Sequence, residues 1–165
     1  MTDAWPALAI LFFVLLQRLS ELVIARQNTA ALLAIGAREY APGHYPLIVA
    51  VHALWLATLF WLAPNQPINW ALFAVFVALQ VGRLWVLRTL GPRWTTRIIV
   101  LPNAPLVTGG PFRFVRHPNY LVVIGEIAVL PLVFGLWEVA LVFSLLNAAV
   151  LWIRIRAEER ALAEA

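Results

Sequence analysis

Arg116, His117, Pro118, Asn119 and Tyr120 follow one another without a break. They supply a cation, an imidazole, a backbone lock, an amide and a phenol. The run sits where a basic loop rich in proline and glycine meets a long apolar stretch. Polar groups at the mouth of a membrane helix are costly, so they point to function. A second polar stretch, Arg154 to Glu159, follows the last apolar run. Arg154 and Glu158 are four apart and share a helix face. No P-loop, dinucleotide fingerprint, serine elbow or zinc-protease motif is present. His44 and His52 lie on other segments than His117, and no His/Glu spacing matches a zinc site, so no metal is expected. Apart from His117 and the carboxylates no general base stands out. Chemistry carried here must need little proton transfer.

The rest of the chain must hold these groups. It has 165 residues, 63% hydrophobic and only 12% charged. Soluble domains are nearer one quarter charged. The chain reads as an all-α integral membrane protein of one domain, residues 1–165. Residues 1–90 hold three spans, and 91–165 hold a loop, a helical hairpin and a tail. A span needs about 20 apolar residues. Trp5 to Val23, Tyr45 to Ala63 and Ile68 to Arg88 meet that need. A polar loop is expected from about Arg26 to His44. Asn119 to Phe134 and Trp137 to Trp152 form a hairpin of two shorter spans, and the last helix runs on into water to Ala163. The segment from Gly91 to His117 has too many prolines and glycines for one helix. Met1 to Ser20 has no basic start and no small-residue cleavage site, so it reads as a retained helix.

Five alternating spans put nearly all the arginines on one side: Arg26 and Arg38, Arg88 to Arg116, and Arg154 to Arg160. The positive-inside rule makes that side cytoplasmic and the N-terminus external. Trp5, Trp61, Trp70 and Trp137 would ring the outer interface, and Trp85, Trp94 and Trp152 the inner one. Topology explains the net charge of +4 better than nucleic acid does, because no basic run is long. Ala74, Ala78 and Gly82 recur every fourth residue, which suits a close helix seam, either internal or between two copies in a homodimer.

The hairpin brings the two polar stretches together. Folding about residues 135 and 136 sets His117 level with Arg154 and Tyr120 level with Leu151. A plainer account is snorkelling arginines and a surface ion pair. Their convergence on the Pro-fixed turn favours a site. Glu126 lies about 10 Å along the fourth helix. It needs a cavity or a partner such as Arg83. These two either line an acceptor cavity or are interhelical glue; Gln17, Arg18, Glu21 and Gln80 sit at similar depth. Asn147 and Ser144 read as glue.

The run Leu106-Val107-Thr108-Gly109-Gly110-Pro111-Phe112-Arg113-Phe114-Val115-Arg116-His117-Pro118-Asn119-Tyr120, with Arg154 and Glu158-Glu159 after it, resembles the isoprenylcysteine carboxyl methyltransferase family. The pattern is R-H-P-x-Y, a hairpin, then R-x-x-x-E-E. The first three helices match only in hydropathy. The whole chain looks like the short bacterial members. Some of those are associated with type III polyketide synthases and O-methylate alkylpyrones or related alkyl-phenolic lipids. The resemblance implies S-adenosyl-L-methionine as methyl donor. It implies that Leu106, Val107, His117, Pro118, Asn119, Tyr120 and Glu158 line the donor site, and that Arg154 meets the acceptor as the catalytic residue. Phe112 stands where the family often has a tyrosine, which keeps a stacking face without a hydroxyl. Ala104 stands where eukaryotic members have a histidine.

The expected function is therefore a membrane O-methyltransferase acting on a lipid-like acceptor. That acceptor is an alkylpyrone or alkylresorcinol, or a prenylcysteine-type carboxylate, with a phospholipid amine as a further alternative. Arg83 and Glu126 are expected to help bind it. Membrane lipids are expected partners, nucleic acid is not, and a polyketide synthase in the same pathway is one further expectation. The departures at Ala104 and Phe112 leave a second reading open, a non-catalytic membrane subunit or sensor that keeps the scaffold.

Overall fold

A computed structural model describes residues 3–163. Five helices follow in order: α1 (Trp5–Ala34), α2 (Tyr45–Leu62), α3 (Trp70–Leu90), α4 (Pro118–Val133) and α5 (Trp137–Ala163). Four of them, α1, α2, α3 and α5, are long and apolar enough to cross a membrane. α4 is apolar but has only 16 residues. The protein is an all-α integral membrane protein with one small β-ribbon.

Local chemistry sets most helix ends. The Asn69 side chain accepts from the Leu72 amide at 3.1 Å, an N-cap that starts α3. Pro118 occupies the first position of α4, where its missing N–H costs nothing. Gly135 at φ +70° then reverses the chain into α5, a left-handed turn that glycine makes without strain. This is the hairpin the sequence predicts, folded about the expected residues.

α1 departs from expectation. It runs through Arg26 to Ala34, 30 residues in all, so the polar loop begins about nine residues later than the polarity of Arg26 and Gln27 suggested. The reason is physical: residues 26 to 34 contain no glycine or proline, and alanine and leucine are strong helix formers. Asn28 gains partners there, donating to the carbonyls of Gly91 at 3.2 Å and Trp94 at 2.8 Å.

α4 packs extensively against both α3 and α5, and α2 lies against α5 and α1. The α3–α4 approach is close at Gly125, where a Cβ would stand 2.8 Å from Leu79. Gly82 faces Val122 across the same seam. Ala74 and Ala78, by contrast, are exposed. The three small residues therefore do not form one internal seam; only Gly82 does. Leu11, Leu59, Phe76, Ile127, Leu130 and Phe134 are fully buried in the core that joins the five helices. Many large apolar side chains face outward on every helix, as a bilayer solvent allows.

At one end of the bundle, β1 (Arg38–Tyr40) pairs antiparallel with β2 (Ile98–Val100). This ribbon was not expected. The β-branched run Ile98-Ile99-Val100 favours strand, but three residues are too few to stand out in the sequence. It ties the α1–α2 link to the α3–α4 link. Ile98 and Val100 are buried on Ala161 of α5. Trp94, expected in an interfacial ring, is instead buried against Ala25 and Val86. Trp5, Trp61, Trp70 and Trp137 are exposed at the other end of the helices, and Trp85 and Trp152 at this end.

Candidate functional site

Strand β2, the 101–117 segment, the start of α4 and the end of α5 line a cavity of about 810 Å³. That is within the usual size of small-molecule sites. Leu106, Val107, Phe112, His117, Pro118, Asn119, Tyr120, Arg154 and Glu158 all line it. Ala104, Arg116 and Glu159 line it too. Residues far apart in the chain thus share one wall.

Gly110 holds the loop side in place. Its φ is +56°, and a Cβ there would collide with Thr89 at the end of α3. The short 3-10 turn Gly110–Arg113 then delivers Phe112 to the cavity. Phe112 rests on the buried cluster of Ala25, Val86 and Trp94. Proline at 118 fixes where α4 begins, so His117 and Asn119 flank the helix start. The His117 ring stacks on Tyr120, centroids 5.2 Å apart.

The polar centre lies between α4 and α5. The Tyr120 hydroxyl accepts from Arg154 Nε at 2.9 Å and donates to the Glu158 carboxylate. Arg154 Nη1 donates to the Thr96 carbonyl at 2.7 Å. These contacts use the i, i+4 face of α5 that the sequence singles out. They leave Arg154 Nη2 without a protein acceptor among the described residues. Arg154 itself is buried, at 9% exposure. The Asn119 side-chain oxygen is also buried and has no hydrogen-bond partner among the described residues.

Arg83 and Glu126 lie elsewhere. Neither lines the cavity. Glu126 is 1% exposed and accepts from Arg83 Nη1 at 3.0 Å, Arg18 Nη2 at 2.7 Å and Gln80 Nε2 at 2.8 Å. Arg83 also donates from Nε to Glu21 at 2.6 Å, and its Nη2 pairs with the same carboxylate. Two arginines and two glutamates thus neutralise one another between α1, α3 and α4. Pairing of this kind is what makes a charge tolerable inside a bilayer.

Three contributors were not assigned to the site from the sequence. Thr96 acts through its carbonyl, which any residue carries. Trp94 and the strand Ile98–Val100 wall the cavity with apolar surface. Nothing local distinguishes them from ordinary core residues.

The Isoprenylcysteine carboxyl methyltransferase (ICMT) family matches residues 71–164, which include the whole 101–120 segment and α5 up to its end. The chain is 40% identical over 165 residues to "Uncharacterized protein YpbQ" of Bacillus subtilis (strain 168), covering 97% of this chain and 96% of the relative. It is 27% identical over 151 residues to an "Uncharacterized protein" of Haemophilus influenzae (strain ATCC 51907 / DSM 11121 / KW20 / Rd), covering 88% of each. No solved structure gives a significant match. More than half of the chain, including Thr96, Asn119, Tyr120, Arg154 and Glu158, falls within the family match, and the chain belongs to the isoprenylcysteine carboxyl methyltransferase family of membrane methyltransferases.

Proposed function

We propose that this protein is an S-adenosylmethionine-dependent O-methyltransferase acting on a lipid-like acceptor. The acceptor classes are an alkylpyrone or alkylresorcinol, or a prenylcysteine-type carboxylate. The observation that carries the reading is the convergence of Tyr120, Arg154 and Glu158 on the wall of one cavity at a membrane edge.

The cavity's chemistry fits the donor. Glu158 can accept hydrogen bonds from an ammonium or a ribose diol. The Asn119 oxygen, buried without a hydrogen-bond partner among the described residues, can accept from an amino group, and an unsatisfied buried acceptor is otherwise costly. Arg116 lines the cavity and can pair with a carboxylate. Phe112 and the stacked His117–Tyr120 pair offer aromatic faces to a purine. When bound, the donor supplies a methyl group on a cationic sulfur.

The remaining work falls to this chain's own side chains. Arg154 is fixed through Nε and Nη1, so its Nη2 edge is held ready for an anionic oxygen. A carboxylate or acidic enol is already anionic near neutral pH and needs no general base, whereas an alkylresorcinol phenol keeps its proton there and would pass it to a base on the cavity wall, His117. Catalysis then comes mostly from alignment of nucleophile and methyl. Trp94, Ile98 and Val100 give one wall of the cavity an apolar lining. Arginine asymmetry supports a cytoplasmic cavity and an external N-terminus.

The test is on the acceptor. Purified protein, S-adenosylmethionine and total lipid extract from the source cell are incubated, and the methylated product is identified by mass and by its methyl linkage. A methyl ether or ester on a long-chain lipid is expected. Methylation of nitrogen alone would overturn the O-methyl assignment. Donor binding with no product from any lipid fraction would favour the sensor reading.

A further inference from the structure

The basic lip of the cavity carries a feature that donor binding does not use. Trp85 and Arg88 lie on one exposed face at the end of α3. Arg113 and Phe114 stand beside them on the turn that follows Gly110. The placement is fixed twice. Gly110 packs on Thr89, and the Phe114 ring meets Trp85 edge-on with centroids 6.2 Å apart. All four side chains are exposed, Phe114 at 64%.

Neither arginine has a carboxylate partner among the described residues. The Arg113 guanidinium lies over the Phe114 ring, 4.4 Å from its centroid. That leaves its N–H edge turned to the surroundings, the geometry that suits a phosphate. One turn further into the membrane the same α3 face is apolar, with Val81 63% exposed and Leu84 beside it. Two unpaired cations therefore sit above a surface for hydrocarbon, with two aromatic rings at the boundary.

From this geometry we infer that Trp85, Arg88, Arg113 and Phe114 form a binding site for the headgroup of an anionic phospholipid. The headgroup phosphate pairs with both guanidiniums, and the acyl chains run down Val81 and Leu84. Free phosphate would satisfy only the upper half of the site. The aromatic rings and the apolar face below them argue for the lipid. Because Arg113 belongs to the same short turn as Phe112, a bound lipid also steadies one wall of the cavity.

The test reads binding and needs no enzymatic activity. The full chain in neutral detergent is titrated with phosphatidylglycerol and, separately, with phosphatidylcholine, and retained lipid is counted by native mass spectrometry. Wild type should retain phosphatidylglycerol preferentially. Arg88→Gln with Arg113→Gln should lose about twentyfold in that affinity, since each arginine near an anionic surface contributes roughly fivefold. Arg26→Gln, outside the patch, should bind as wild type does. Glycerol phosphate should compete poorly. Equal retention of the two lipids would overturn the proposal. So would a preference untouched by the double substitution, or full displacement by glycerol phosphate. Both substituted residues are exposed, so folding should survive, and an unchanged circular dichroism melt checks this. Failure here leaves the methyltransferase reading untouched, because neither arginine lines the donor cavity.

Discussion

Tyr120 and Arg154 meet across the α4–α5 hairpin, with Arg154 Nε donating to the Tyr120 hydroxyl at 2.9 Å. The same hydroxyl donates to Glu158, so one phenol sets the positions of both a cation and a carboxylate. Tyr120→Phe removes that link and keeps the ring. Hydrogen bonds to charged groups are worth roughly 1.5–3 kcal/mol. We expect kcat/KM to fall about tenfold to a hundredfold with the fold intact, measured by steady-state kinetics beside a thermal melt. Unchanged kinetics would remove Tyr120 from the working site.

Glu126 plays a different part. Its carboxylate receives Arg18, Arg83 and Gln80 in the bundle interior. Glu126→Ala leaves two guanidiniums short of negative charge. Breaking a buried pair from one side costs about 3–5 kcal/mol. The expected result is a large drop in thermal stability with donor affinity of the folded fraction unchanged. A raised acceptor KM with no loss of stability would instead place Glu126 in an acceptor pocket.

Gly110 is the loop's fixed point. Its positive φ and its contact with Thr89 together exclude a side chain. Gly110→Ala should cost about 2 kcal/mol from strain and overlap and weaken donor binding, as the 3-10 turn shifts Phe112. Adding Thr89→Ala should recover the steric part but not the backbone part. An isothermal titration of both variants checks this. Wild-type affinity in the single variant would contradict it.

Much of this was legible beforehand. Hydropathy gave the helices, because a bilayer demands long apolar runs, and the break about residues 135 and 136 marked the hairpin turn. Regular helix and hairpin geometry put the Arg116–Tyr120 and Arg154–Glu159 stretches at one depth, but it set His117, not Tyr120, level with Arg154; the contact falls on Tyr120 because the long arginine and tyrosine side chains reach along the helices. The extent of α1 was not legible, since polar residues such as Arg26, Gln27 and Asn28 read alike in a loop and in a helix projecting into water. The ribbon was hidden for another reason: Arg38–Tyr40 and Ile98–Val100 gain meaning only when the helices bring them together. Arg83 and Glu126 were paired correctly, but sequence could not separate mutual neutralisation from a shared cavity.

Orientation is open to a direct check. A reporter fused after α5 should be active only in the cytoplasm, and one placed in the 63–69 turn only outside. The reverse pattern would contradict the arginine asymmetry.

The most direct measurement is transfer of labelled methyl from S-adenosylmethionine into the organic phase by the purified full chain supplied with lipid extract. Wild type and Glu158→Gln are compared at equal folded concentration. The account predicts label in a lipid product for wild type, with at least a tenfold loss in Glu158→Gln arising from weaker donor binding. Equal transfer by the two proteins would contradict the placement of the donor beside Glu158. A folded wild-type protein that neither binds the donor nor transfers label would contradict the central claim itself.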